Sequence, residues 1–110
     1  MPTDLKTIRL PERDDMLQRL TGVMDDPHAV ERFYPLILRS AGRELNGMGV
    51  VNMVALAIED YCNGMPPVVK SAVYMNLRRY VTALIDDDVV RADAFALLDE
   101  VNAERGQEAL

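Results

Sequence analysis

The stretch MGVVNMVALAIEDYC, Met48 to Cys62, decides the fold. Only Asn52, Glu59 and Asp60 are polar in it, and at 100° per residue they occupy a narrow arc. Val50, Val51, Met53, Val54, Leu56, Ala57, Ile58 and Tyr61 cover the rest of the circumference. A helix apolar on nearly every side belongs in the middle of something. It is expected as the central helix of a compact all-α bundle of about five helices, or else as a partner in a homodimer. It is also far shorter than the roughly 20 apolar residues that cross a bilayer, so no membrane role is expected.

Working outward, Asn63-Gly64 closes this helix and Pro66-Pro67 opens the next, read as one helix from Pro67 to about Ile85. Its inward face is Val69, Ala72, Val73, Leu77, Tyr80 and Leu84, with Ser71, Tyr74, Arg78 and Thr82 outward. Asp86-Asp87-Asp88 then caps a last helix from Val89 to about Glu104, with Val90, Ala94, Leu97, Leu98 and Val101 inward. Residues 106–110 read as a frayed tail.

Toward the N-terminus, Asn46-Gly47 is expected to end a helix that begins at the Asp26-Pro27 cap and keeps Val30, Phe33, Ile37, Ala41 and Leu45 on one face. Pro35 interrupts that pattern, predicting either a kink or a break. Pro11 suits the first position of an earlier helix running through Leu17, Leu20, Val23 and Met24. Residues 1–10 read as an arm, with Leu5, Ile8 and Leu10 turned to the body and a short extended piece at Thr7–Leu10. The whole, 1–110, is read as one helical domain, since a chain of 110 residues can bury a single core without staples.

Charge separates one region from the rest. Tyr61 to Ile85 holds no acidic residue but carries Lys70, Arg78 and Arg79, leaving nine basic against eighteen acidic side chains elsewhere. A net charge of −6 disfavours nucleic acid and acidic membranes, because phosphate contacts need Lys and Arg. One Cys excludes an internal disulfide and fits a reducing, cytoplasmic compartment.

Catalytic chemistry is poorly supplied. His28 is the only histidine and sits at a helix start, where the dipole disfavours its charged form. Cys62 would need nearby positive charge to react, and reads better as a small buried hydrophobe. One His and one Cys cannot build an ordinary structural zinc site, and the clusters Asp14-Asp15, Asp25-Asp26 and Asp86-Asp87-Asp88 lack cation-loop spacing. Gly47-Met48-Gly49 lacks a phosphate-cradling pattern. No cofactor, metal or enzyme activity is expected.

The sharper expectation is a contact face. Lys70, Tyr74 and Arg78 fall on an i, i+4, i+8 line with Met75 alongside, and Tyr, Met and Arg are the types enriched at interfaces. This predicts a small regulatory or inhibitory protein whose partner is another protein. The bland alternative is that Lys70, Arg78 and Arg79 merely pair with carboxylates of neighbouring helices, with Glu59-Asp60 meeting Arg78 or Arg79 across a helix hairpin. A second functional reading treats helix 48–62, its turn and the helix from Pro67 as a dimeric helix-turn-helix that binds DNA. The long, proline-rich turn and the acidic balance weigh against it. A two-fold dimer is expected in either case, with Met75, Ile85, Val89 and Leu98 as its seam.

Overall fold

The computed structural model describes residues 6–40 and 45–108, with side chains from residue 101 onward left out of the description. Among the described residues six helices run in chain order: α1 Arg13–Met24, α2 Pro27–Ser40, α3 Gly47–Tyr61, α4 Pro67–Tyr74, α5 Leu77–Leu84 and α6 Asp88–Glu108. Among the described residues there is no strand, so the fold is all-α, and no helix is long and apolar enough to cross a membrane.

The helix from Asp26-Pro27 forms as read. The Asp26 carboxylate accepts the His28 backbone N–H at 3.0 Å, satisfying an orphan donor of the first turn. Pro35 breaks nothing: α2 continues through it. Pro35 is exposed while Val30, Phe33 and Ile37 are buried, so the carbonyl that loses its donor lies on the solvent side.

The Asn46-Gly47 pair starts a helix instead of ending one. Asn46 has an extended backbone, and its side-chain oxygen accepts the Gly49 N–H at 2.8 Å, which makes it the N-cap of α3. Gly47 serves a close approach here and not a left-handed turn. A Cβ at Gly47 would stand 2.7 Å from the Ala94 backbone nitrogen and 3.0 Å from the Val90 carbonyl oxygen. Helices α3 and α6 therefore meet backbone to backbone at this point. Leu45, expected on the α2 face, instead exchanges both backbone hydrogen bonds with Ile8, at 2.8 and 2.9 Å. Ala41 and residues 1–5, Leu5 included, lie outside the described residues.

That pairing gives the arm its extended piece. It also explains why α1 starts at Arg13, two residues after Pro11: the arm stays extended, and the fixed φ of proline suits an extended chain as well as a helix. Gly22 does not end α1, which runs to Met24 and closes on Asp25 in the left-handed region at φ 55°. Asp tolerates that conformation better than most non-glycine residues.

Helix α3 packs against α2, α4, α5 and α6. It buries Gly47, Val50, Val51, Met53, Val54, Ala57 and Ile58, and joins one core with Met16, Leu20, Phe33, Ile37, Tyr80, Val81, Leu84 and Ile85. Phe33 meets Tyr61 edge-on, ring centroids 5.6 Å apart, and Tyr80 at 5.1 Å. Burial pushes the Tyr80 hydroxyl up to about 12. The polar arc of α3 is exposed, as its spacing implies, but Met48 and Leu56 lie exposed with it.

The single helix expected over 67–85 is two. Met75 and Asn76 form a tightened turn, with Met75 N–H bonded to Ser71 O and Asn76 N–H to Val73 O. The bend lets α4 lie on α3 while α5 packs on α1, α3 and α6. It also alters the inward face. Tyr80, Val81 and Leu84 are buried and Val73 and Leu77 partly so, but Val69 and Ala72 are exposed.

Asp87 caps α6, accepting the Val89 and Val90 N–H groups at 2.9 and 3.0 Å. Val90, Ala94 and Leu98 are buried. The Val101 side chain lies outside the described ones. Residues 106–108, expected to fray, continue the helix, and only 109–110 fall outside the description. Of the expected dimer seam, Ile85 and Leu98 are core residues; Met75 and Val89 remain exposed. Two of its four members are occupied within the chain itself.

Candidate interaction surface

Helix α4 is built from PVVKSAVY, with Pro67 at its first position after Pro66, so that neither missing N–H costs a helical bond. It buries no residue. Two side chains tie it to α3. The Lys70 ammonium lies 2.7 Å from Glu59 Oε2, and the Tyr74 hydroxyl donates to Glu59 Oε1 at 2.8 Å. The Tyr74 hydroxyl also lies 3.4 Å from the Ala55 carbonyl oxygen. One carboxylate thus holds both Lys70 and Tyr74. The Lys70 ammonium first, and the Tyr74 hydroxyl second, keep the Glu59 carboxyl below its usual range.

At the helical repeat, Lys70 and Tyr74 share the side of α4 facing α3, and Val68, Ser71, Ala72 and Met75 lie on the side away from it. All four are exposed, Val68 by 74% and Met75 by 84%. Lys70 is the only Lys, Arg, Asp or Glu in the helix, so the outward side carries no charge. Exposed apolar side chains grouped on one helix face differ from scattered ones, which need no explanation.

The four residues singled out in the sequence therefore do not form one line. Lys70 and Tyr74 meet at Glu59. Arg78, beyond the bend, pairs with Asp99 of α6 and lies over the Phe95 ring at 4.5 Å. Met75 stands at the corner between α4 and α5. The expected pairing of Glu59-Asp60 with Arg78 or Arg79 is replaced by the Glu59–Lys70 contact, and Arg79 reaches the Gly22 carbonyl at 3.4 Å. Sequence reasoning missed Val68 and Ala72 as outward residues. Their i, i+4, i+7 spacing with Met75 is visible in the chain, but periodicity alone puts Ala72 on the inward face and Val68 on neither.

The acidic clusters serve helix caps and ion pairs. Asp15 and Asp86 both hold the Arg19 guanidinium, at 3.0 and 2.9 Å, which joins α1 to the α5–α6 turn. Arg19 also donates to the Ala83 carbonyl at 3.1 Å. Those hydrogen bonds hold Arg19 more firmly protonated and depress Asp86. Asp87 pairs with Lys6 at 2.9 Å, and that bond with the capping N–H groups lowers its pKa. The Asp15–Arg19 half of this clamp follows an i, i+4 spacing legible in the chain; its link to Asp86 has no sequence signal. Among the described residues no group of His, Cys, Asp and Glu converges as a metal site would require. Cys62 is buried, and desolvation raises its pKa even with Lys70 near, so the thiol is held in its unreactive form.

The chain matches no known family model, no curated protein and no solved structure.

Proposed function

We propose that this is a small non-enzymatic regulatory or inhibitory protein that acts by covering another protein through its α4–α5 face. The reading takes α3 as the central helix on which that face is mounted. What supports it is the uncharged, exposed side of α4 in a chain of net charge −6. Val68 and Met75 would supply desolvated anchor area, and Arg78 a rim contact. Lys70 and Tyr74 would fix the angle of α4 through Glu59.

The test is capture from native lysate with the wild-type chain and a Val68→Asp/Met75→Asp variant as baits, each with and without nuclease. A protein held by the wild type, lost by the variant and indifferent to nuclease supports the reading. Its affinity should fall only modestly between low and physiological salt. Capture that depends on nucleic acid, with a log–log salt slope of nearly one per phosphate neutralised, would favour the helix-turn-helix alternative instead. A protein that binds both baits equally would remove α4 from the contact.

A further inference from the structure

We infer that the uncharged side of α4 seats a second copy of this chain, packed antiparallel across a two-fold axis that passes between Ser71 and Ala72. The first support is the order of side-chain sizes. Val68, Ser71, Ala72 and Met75 read large, small, small, large along one exposed stripe. Their midpoint, for the outer pair and the inner pair alike, is the Ser71–Ala72 bond. In an antiparallel pair crossing there, the small residues let the two backbones approach, and each Val68 meets the Met75 of the other copy. A symmetric contact needs this self-complementarity, because one patch must serve both partners. Close helix pairs place their axes about 8–10 Å apart, a spacing that small residues at the crossing permit.

The second support is charge. A chain of net charge −6 repels its own copy over most of its surface. Tyr61 to Ile85 is the acid-free stretch, and α4 lies inside it. The outward side of α4 carries no charged side chain, so none is brought against its own copy at the crossing. Lys70, on the side facing α3, is held by Glu59 on its own chain. The expected seam of Met75, Ile85, Val89 and Leu98 is replaced by one built on Met75 and Val68.

Two turns of helix make a small contact, below the roughly 800 Å² per partner of a standard interface, so the dimer is weak and concentration-dependent. The inference deepens the proposed function by naming what covers α4 before the other protein does: the second copy occupies the apolar face and is displaced by the partner.

Sedimentation of the purified full chain tests it without reference to any partner. The mass is expected to rise from 12.3 kDa toward twice that value as concentration increases from micromolar to roughly millimolar. Val68→Asp/Met75→Asp should hold it at 12.3 kDa with unchanged circular dichroism. An Ala72→Cys chain should cross-link to itself under mild oxidation many-fold faster than Val89→Cys, which carries an equally accessible thiol on another helix. The buried Cys62 of the wild type should not cross-link at all. A wild type monomeric throughout, a dimer that survives the double substitution, or equal cross-linking of the two cysteine variants would each overturn the inference. None of those outcomes bears on whether another protein is captured, so the two readings fail separately.

Discussion

Helices α3 and α4 look alike in composition and differ completely in burial. Both are predominantly apolar, and both follow an Asn, Gly or Pro signal. Yet α3 buries seven residues, while α4 buries none. The difference is the number of neighbours. α3 packs against four other helices, whereas α4 packs chiefly on α3, and its polar attachments converge on one exposed carboxylate. Hydrophobic burial stabilises only where other elements supply the covering surface. An apolar helix without that cover keeps its outward side chains in water.

The sharpest way to break this comparison is to place the same charge in each helix. Ile58→Asp in α3 should unfold the protein, since an unpaired carboxylate would be buried and native domains hold only about 5–15 kcal/mol in reserve. Val68→Asp in α4 should shift the thermal midpoint hardly at all. Equal losses from the two substitutions would erase the distinction between the helices.

A second contrast uses glycine. Gly47→Ala should destabilise by about 1–3 kcal/mol, because its Cβ meets the α6 backbone, which cannot yield as a flexible side chain would. Gly22→Ala in α1, where the added Cβ meets nothing within 4 Å, should stabilise by about 0.5–1 kcal/mol through helix propensity. Chemical denaturation of both variants measures the pair. A stabilised Gly47→Ala protein would show that α3 and α6 do not approach so closely.

The two helices should also respond to opposite ends of the pH scale. Around α3, Tyr80 has its pKa raised by burial to about 12, against about 10 in an unfolded chain. The folded state then holds the proton more tightly. That contribution is full below pH about 10 and is lost as pH rises toward 12. Tyr80→Phe should flatten this alkaline decline in thermal midpoint. At α4, Glu59 is depressed, so its contribution is full above the unfolded carboxyl pKa and is lost as pH falls through the lower folded value. An NMR titration of the Glu59 carboxyl should give a midpoint below the usual carboxylate range. Lys70→Gln should move it up further than Tyr74→Phe does.

The smallest effect expected is on stability in Glu59→Gln. The pair it breaks is half-exposed and screened by solvent, so the loss should be barely measurable by chemical denaturation. Amide exchange in α4 should nevertheless accelerate selectively, because Glu59 is the acceptor shared by Lys70 and Tyr74. Uniform acceleration across α3 and α4 would mean that the two are one cooperative unit.

Residues 67–85 show where reading the chain alone runs out. Their apolar periodicity supports a single helix with Val69 and Ala72 inside, and nothing in the sequence of Met75-Asn76 forces a bend. Asn46-Gly47 is likewise ambiguous, because asparagine caps a helix start and glycine a helix end. The choice fell to Ile8, Leu45 and the close backbone of α6.

Local chemistry by itself determined the helical class, the Asp26-Pro27 start, the Asp87 cap, the exposed polar arc of α3 and the acid-free stretch around α4. Each depends on groups a few residues apart, or on composition. Only the tertiary structure decided which apolar residues are covered, that Arg19 joins Asp15 to Asp86, and that Lys70, Tyr74 and Arg78 divide between Glu59 and Asp99. Those outcomes depend on which elements meet in space. A hydrophobic side chain carries the same driving force toward burial wherever it lies, and the packing of its neighbours determines whether that burial is reached within the chain.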